Sequence, residues 1–334
     1  MENKPVYIIS RTDSIGDVIL TLPMLGLLKK NCPACKIIFL GKRYTEDVVL
    51  ASEHVDEFLD YNEIEKKDIQ NQIEALQSYK ATHFIHVFPV KSIALLAKKA
   101  KIQNRIGTTN RLYHWTTCNR LISLSRKNSD LHETQLNIKL LEKIIESTEV
   151  SLNEIPNLYG FTKLKSFEHE SLSLPTKDKF NIIIHPKSKG SALEWGLENF
   201  KKLIDLLPSE KYRVFISGTA DDELAMKEFI LDNPKAINIS GKLSLQQFIP
   251  FIKACDALVA ASTGPLHIAS AVGIKAIGLF SSRRPIHPGR WKPVGINSHA
   301  LVFDPNCVTC AKGKYCECIK QINPQQVVNL LENK

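Results

Sequence analysis

Residues 255–281 read CDALVAASTGPLHIASAVGIKAIGLFS. The apolar run ALVAAS feeds a turn made of Ser262, Thr263, Gly264 and Pro265, a helix carries His267 in its first turn, and KAIGLFS returns as a second short run. Strand, glycine-proline turn, helix and strand in this order predict a parallel β-α-β unit. Its loop would lie at the carboxyl end of the first strand, where backbone N–H groups and hydroxyls can hold an anion without a metal. His267 is then either a structural hydrogen-bond donor or a side chain facing the ligand, and both readings stand on this stretch.

The same alternation runs outward in both directions. VYIIS, KIIFLG, EFLDY, HFIHVF and RIGT read as strands in the first half, which closes on the helical run SDLHETQLNIKLLEKIIES. FNIIIHP, YRVFISG and INISG precede the opening stretch in the second half, and Asn323 and Pro324 start a last helix. Between the halves, FTKLKSFEHESLSLPTKDK is polar and has no clear period. These patterns predict an α/β protein of two doubly wound domains: residues 1–165, a linker over 166–179, and residues 180–334.

Composition narrows the partners. No apolar run in the 334 residues approaches the roughly 18 to 20 needed to span a bilayer, and MENKPVYIIS does not resemble a secretory signal, so a cytoplasmic protein is expected. A formal charge of +9 favours anions, among them phosphorylated small molecules and anionic lipid, while no nucleic-acid-binding signature accompanies it. Basic residues Lys98, Lys99, Lys101, Arg105, Arg111 and Arg120 surround Tyr113 and Trp115. That segment is either a solvated loop with its aromatics packed inward or a peripheral contact for an anionic membrane.

The chemistry should sit just after the strands. Following VYIIS comes RTDSIGDVIL, with Arg11, Thr12 and Ser14 in the loop, Gly16 for close backbone approach and Asp17 at a helix start. A helix N-terminus stabilises a carboxylate, so Asp17 is either a deprotonated base or a simple cap. Only Gly16 of a dinucleotide fingerprint is present, which argues against a nicotinamide dehydrogenase. In the second half, Lys187, Ser188 and Lys189 make a cationic, donor-rich loop suited to a diphosphate, and Glu223, or Asp222 beside it, can accept from ribose hydroxyls.

Eight cysteines fall into two groups. Cys32 and Cys35 in CPAC have redox spacing but close a helix rather than open one. Cys307, Cys310, Cys316 and Cys318 crowd into CVTCAKGKYCEC, where structural zinc, reduced thiols and a local disulfide are the alternatives.

Taken in order, SIGDVILTLPML, RIGTTNR, HETQLNIKLL, HPKSKGSALEWGLENF, FISGTADDE, NISGKLSLQQF and STGPLHIASAVG resemble the family 9 glycosyltransferases, the ADP-heptose:lipopolysaccharide heptosyltransferases. The resemblance implies a GT-B fold, two Rossmann-like domains facing a cleft, with the acceptor on the first and the nucleotide-sugar on the second. It implies inverting transfer from ADP-heptose to a glycolipid or glycan acceptor of lipopolysaccharide-core type, at the inner face of the inner membrane. Asp17 would be the base. Arg11, Thr12, Ser14, Gly16 and Arg105 would lie on the acceptor side, and Lys187, Ser188, Lys189, Glu223, Ser262, Thr263, Gly264, Pro265 and His267 on the donor side. No cofactor is implied, and the absence of any D-x-D agrees with metal-independent chemistry. Two donor contacts depart from the family pattern, Leu193 standing where a lysine is usual and Ser262 where an aspartate is, and Gly196 replaces a proline. Those departures keep a second reading open, a non-catalytic relative that binds nucleotide-sugar or glycan.

Overall fold

The computed structural model describes residues 4–126 and 129–333 and divides them into two compact units, Met1–Lys163 and Leu164–Lys334. In the first unit β1 (Val6–Ser10), β2 (Lys36–Gly41), β3 (Glu57–Asp60), β4 (His83–His86), β5 (Asn104–Thr108) and β6 (Arg120–Ile122) form one parallel sheet in the order β3-β2-β1-β4-β5-β6. The second unit repeats the plan. There β7 (Phe180–His185), β8 (Tyr212–Ile216), β9 (Ile237–Asn238), β10 (Ala257–Ala261), β11 (Lys275–Phe280) and β12 (Ser298–Val302) run in the order β12-β11-β10-β7-β8-β9.

Each sheet therefore reverses direction beside its first strand, between β1 and β4 and between β7 and β10. At that switch point the loops leave in opposite directions and open a crevice at the strands' carboxyl ends. The central strands are apolar on both faces because helices cover both: ALVAA of β10 is buried throughout, and Val259 pairs with Ile184 on one side and Ile277 on the other.

One core of the second unit gathers Ile182, Ile184, Val214, Val259 and Ile277 of the sheet against Trp195, Phe200, Leu203 and the C-terminal Val327, Val328 and Leu331. Full burial of each such side chain stabilises by about 1.5 to 3 kcal/mol. The last helix, Pro324–Glu332, reaches that core because Asn323 caps it and Pro324 fixes its first turn, as the sequence predicts.

The sequence predicts five strands per half, whereas each sheet has six. β6 has three residues and β12 (SHALV) is only half-buried throughout, so neither edge strand has an apolar run to show. The long helix expected after Asp130 is instead a short one, Glu133–Ile138, capped by His132 and tightening into a 3-10 turn, Lys139–Leu141. Residues 166–179 contain no helix or strand and are tied to the second unit: Gln247 Nε2 donates to the Glu168 carbonyl at 2.6 Å, and Lys177 pairs with Asp256 at 3.0 Å. Among the described residues no helix is long and apolar enough to cross a membrane.

Candidate functional site

In the first unit the chain leaves β1 at Ser10 and turns directly into a buried arginine. Arg11 is 2% exposed, and its guanidinium meets three carboxylates. Nε and Nη2 fork onto Asp13 at 2.8 and 3.0 Å, Nη2 also donates to Asp17, and Nη1 reaches Glu133 at 3.2 Å and the Asn137 amide oxygen at 3.1 Å. A second guanidinium closes the network, with Arg126 donating to Glu133 at 2.9 Å and to Asn137 at 3.0 Å. Three carboxylates and two guanidinium groups thus share one cluster.

The structure bears on the cap reading of Asp17. Its carboxylate accepts from Arg11 and from the Ser14 hydroxyl, both side chains, and the helix Ile15–Ile19 that contains it has no side-chain cap. Asp17 is not a cap.

Electrostatics differ across the cluster. Burial pulls the Arg11 pKa down, but Asp13, Asp17 and Glu133 together more than reverse it, so the guanidinium stays charged. Burial pushes the Asp13 carboxyl up to about 6, against the lowering by Arg11 and with a further push from the Asp17 charge. His86, at the end of β4, packs against Phe84 and His114; it is fully buried with no hydrogen-bond partner for either ring nitrogen among the described residues, and burial holds its pKa at about 3.

Of the residues picked out by sequence, Arg11, Ser14 and Asp17 come together, with Thr12 and Gly16 buried in the same turn. Arg105 does not join them. It lies near the amino end of β5, where Nε donates to the Thr117 carbonyl at 2.7 Å and Nη1 to the Ile102 carbonyl. Asp13, Glu133, Asn137 and Arg126 were missed. Glu133 and Asn137 did carry a signal, two polar residues four apart inside an apolar helical run, hence on one helix face.

In the second unit the loop after β7 folds around an acid the sequence reading passed over. Glu194 accepts from Lys187 Nζ at 2.7 Å and from the Ser188 backbone N–H at 2.9 Å, so Lys187 is paired, while Lys189 is exposed and has positive φ, as does Gly190 beside it. Ser191 Oγ bridges to the Ser262 carbonyl at 3.5 Å and so joins this loop to the turn after β10.

That turn starts the helix Gly264–Val272, with Pro265 in its first turn and Thr263 at the N-cap position. Thr263 makes no side-chain cap bond, and its buried hydroxyl has no hydrogen-bond partner among the described residues. His267 is buried in the first turn of the same helix. His185, at the end of β7, shares a hydrogen bond with Ser217 at 2.9 Å and is held by burial at about 4, so it is neutral at physiological pH. Glu223 sits in the first turn of the helix Ala220–Ala225 and accepts from the Asn238 amide at 2.6 Å. Its neighbour Asp222 is used up in capping Thr219.

Two Rossmann-order sheets with polar clusters at their switch points match a known family. The profile of glycosyltransferase family 9 (heptosyltransferase) fits residues 72–319. The chain belongs to that family. It is therefore a glycosyltransferase. An Escherichia coli K12 relative, lipopolysaccharide heptosyltransferase 3, is 23% identical over 300 residues, 83% of this chain and 82% of its own. A Haemophilus influenzae protein, whose own name gives glycosyltransferase only provisionally, is 26% identical over 89% of this chain and 88% of its own. Among solved structures, E. coli ADP-heptose LPS heptosyltransferase II superposes with a TM-score of 0.73 at 18% identity, covering 98% of this chain and 97% of that one. E. coli heptosyltransferase WaaC with ADP gives 0.73 at 17% identity, covering 98% and 99%. These likenesses establish the GT-B fold.

Proposed function

We propose that this family 9 member transfers heptose or a related sugar, with inversion, from ADP-heptose to a glycolipid or glycan acceptor of lipopolysaccharide-core type, using no metal in the reaction and Asp17 as the base. One observation carries the reading: Asp17 follows closely on the carboxyl end of β1, its carboxylate held by the Arg11 guanidinium and the Ser14 hydroxyl rather than by the helix backbone. The acceptor's hydroxyl proton passes to the carboxylate, its oxygen bonds to the anomeric carbon, and the bond to the diphosphate breaks with its electron pair leaving on ADP. On the donor side the unpartnered Thr263 hydroxyl and the free N–H groups of Gly264–Val272 suit the diphosphate, together with Lys187, Ser188 and Lys189, and Glu223 suits the ribose. The names of relatives that act on lipopolysaccharide, and a neighbouring WaaC structure holding ADP-2-deoxy-2-fluoro heptose, support the same substrates.

A cytoplasmic site of action at the inner face of the membrane belongs to the same reading. Leu112 and Trp115, 89% and 61% exposed, project beside exposed Lys98, Lys99, Lys101 and Arg111, which favours a headgroup-level contact over aromatics packed inward.

A second assignment of the base rests on Asp13, whose carboxyl at about 6 is matched to proton transfer near neutral pH. Asp17→Asn and Asp13→Asn, assayed with ADP-heptose and for ADP affinity, separate the two. Asp17→Asn is expected to lower turnover at least about a hundredfold with ADP affinity unchanged. Loss confined to Asp13→Asn moves the base to Asp13, and full rates in both variants dismiss a carboxylate base. A wild-type chain that binds ADP yet transfers no sugar to any such acceptor favours the non-catalytic reading.

A further inference from the structure

Beyond β12 the chain makes a compact knuckle that the transfer reaction does not use. Cys307, Cys310, Cys316 and Cys318 bring their sulfur atoms within 4.8 Å of one another, all as free thiols. The Cys307 and Cys316 sulfurs are 3.6 Å apart, and those of Cys310 and Cys318 are 3.3 Å apart. A tetrahedral ion with sulfur at about 2.3 Å requires sulfur-to-sulfur edges of about 3.8 Å. The observed spread brackets that edge, so the four sulfurs need only small adjustments to share one ion.

Backbone geometry fits the same occupant. The short helix Val308–Ala311 turns the backbone N–H groups of Thr309 and Cys310 toward the Cys307 sulfur, as a thiolate acceptor requires. The chain then reverses at Gly313, at φ +69° and with its N–H on the Cys310 carbonyl at 2.9 Å, a conformation glycine adopts without strain. Four thiolates around a divalent ion carry two negative charges, and Lys312 and Lys314, exposed and with no ion pair among the described residues, stand beside them.

We propose that Cys307, Cys310, Cys316 and Cys318 form a structural tetrathiolate site for one thiophilic metal ion of tetrahedral preference, with Zn²⁺ the first expectation. Binding releases the thiol protons and fixes the segment that follows. That segment matters to the second unit. Ile319 and Ile322 pack in the core with Trp195, whose indole N–H donates to the Ile322 carbonyl at 2.9 Å, and the preceding Glu194 holds Lys187 and Ser188. The ion would thus brace the loop after β7 from behind. This inference does not depend on which sugar is transferred.

Elemental analysis of the full chain, purified without chelators and under reducing conditions, tests the site directly. About one equivalent of metal per chain is expected, falling at least about tenfold in Cys316→Ser/Cys318→Ser, and the analysis names the ion. Chelator-stripped wild-type protein titrated with Co²⁺ should develop the intense d–d and thiolate charge-transfer absorption of tetrahedral sulfur ligation at one equivalent, a readout that does not require the variant to fold. Metal below about a tenth of an equivalent together with no stoichiometric Co²⁺ spectrum overturns the proposal. So does mass analysis showing the four cysteines as two disulfides in protein purified without oxidant.

Discussion

Replacing Glu133 with Gln tests whether the polar cluster behind Asp17 is held together by charge. The side chain is 1% exposed, and its Oε1 accepts from Arg11 at 3.2 Å and Arg126 at 2.9 Å. Glutamine keeps an acceptor oxygen in the same place, so both contacts survive as hydrogen bonds from a charged donor to a neutral acceptor and lose only the attraction between opposite charges. Taking that loss as the step between a stronger and a weaker hydrogen bond gives about 1 to 1.5 kcal/mol for each contact. Two contacts give about 2 to 3 kcal/mol. Glu133→Ala strands the buried Arg11 guanidinium and takes a partner from the partly exposed Arg126, and should cost about 3 to 5 kcal/mol. For a unit of this size each kcal/mol lowers Tm by about 2 to 4 °C, so the Gln variant should melt roughly 5 to 10 °C below wild type. Because the second unit can melt separately, hydrogen exchange by mass spectrometry supplies the local readout. Peptides spanning residues 11–21 and 133–141 should lose protection while those of 257–280 do not. A Gln variant that melts within about 2 °C of wild type with unchanged exchange refutes the charge argument, and an Ala variant no worse than Gln refutes the geometric one.

Acid should destabilise the protein above the pH range where carboxylates ordinarily titrate. His86 and His185, buried and held at about 3 and about 4, stay neutral as pH falls below the unfolded histidine value near 6.5, where the unfolded chain takes up protons that the folded one cannot. At pH 5 this costs about 2 kcal/mol each, while Asp13, raised to about 6, has the opposite sign and returns about 1.4 kcal/mol, for a net loss of about 2 to 3 kcal/mol relative to pH 7; a urea midpoint equal or higher at pH 5 contradicts this. Anionic vesicles should sediment the protein at low salt and release it near physiological salt, with Leu112→Ser/Trp115→Ala weakening the interaction, and equal sedimentation with neutral vesicles removes the electrostatic membrane contact. Glu194→Gln keeps an acceptor for the Ser188 N–H but frees Lys187 Nζ, and since a half-exposed pair is worth about 0.5 to 1 kcal/mol, ADP should bind about two- to fivefold tighter; unchanged affinity places the phosphates away from Lys187.

What the sequence displayed was whatever a strand or loop declares locally. Continuous apolar runs such as FNIIIH and ALVAA are visible because both their faces are buried, and the residues following them are where an open α/β sheet puts its ligands. Edge strands such as SHALV lack that burial and pass unseen. Asp17 was legible from its glycine and its helix. Glu133 was not, since what makes it matter is a contact with Arg11 across 122 positions of sequence. Lys187 was legible as a charge but not as a paired one, because its partner Glu194 lies beyond a turn whose shape depends on Lys189 and Gly190 at positive φ.

The two departures from the family pattern acquire a physical meaning from the same loop. Leu193 packs against the core that contains Trp195, so a side chain at this position belongs to the hydrophobic layer and its loss of charge is not a loss of packing. On the proposed reading the cationic role falls to Lys187 and Lys189, of which only Lys189 has no ion pair among the described residues. Ser262, for its part, holds the loop through its backbone carbonyl, which accepts from Ser191, and any residue type supplies that carbonyl. The proposed phosphate cradle of Ser188, Thr263 and the helix N–H groups therefore survives both substitutions. On the proposed reading, what changes is the chemistry that would face the sugar, where a neutral hydroxyl replaces a carboxylate. A carboxylate accepts strongly from two sugar hydroxyls, whereas serine accepts more weakly and can also donate. The discrimination expected from this site is accordingly in the sugar rather than in the nucleotide, and competition between ADP-heptose and ADP-hexoses at fixed ADP affinity is where it should be measured.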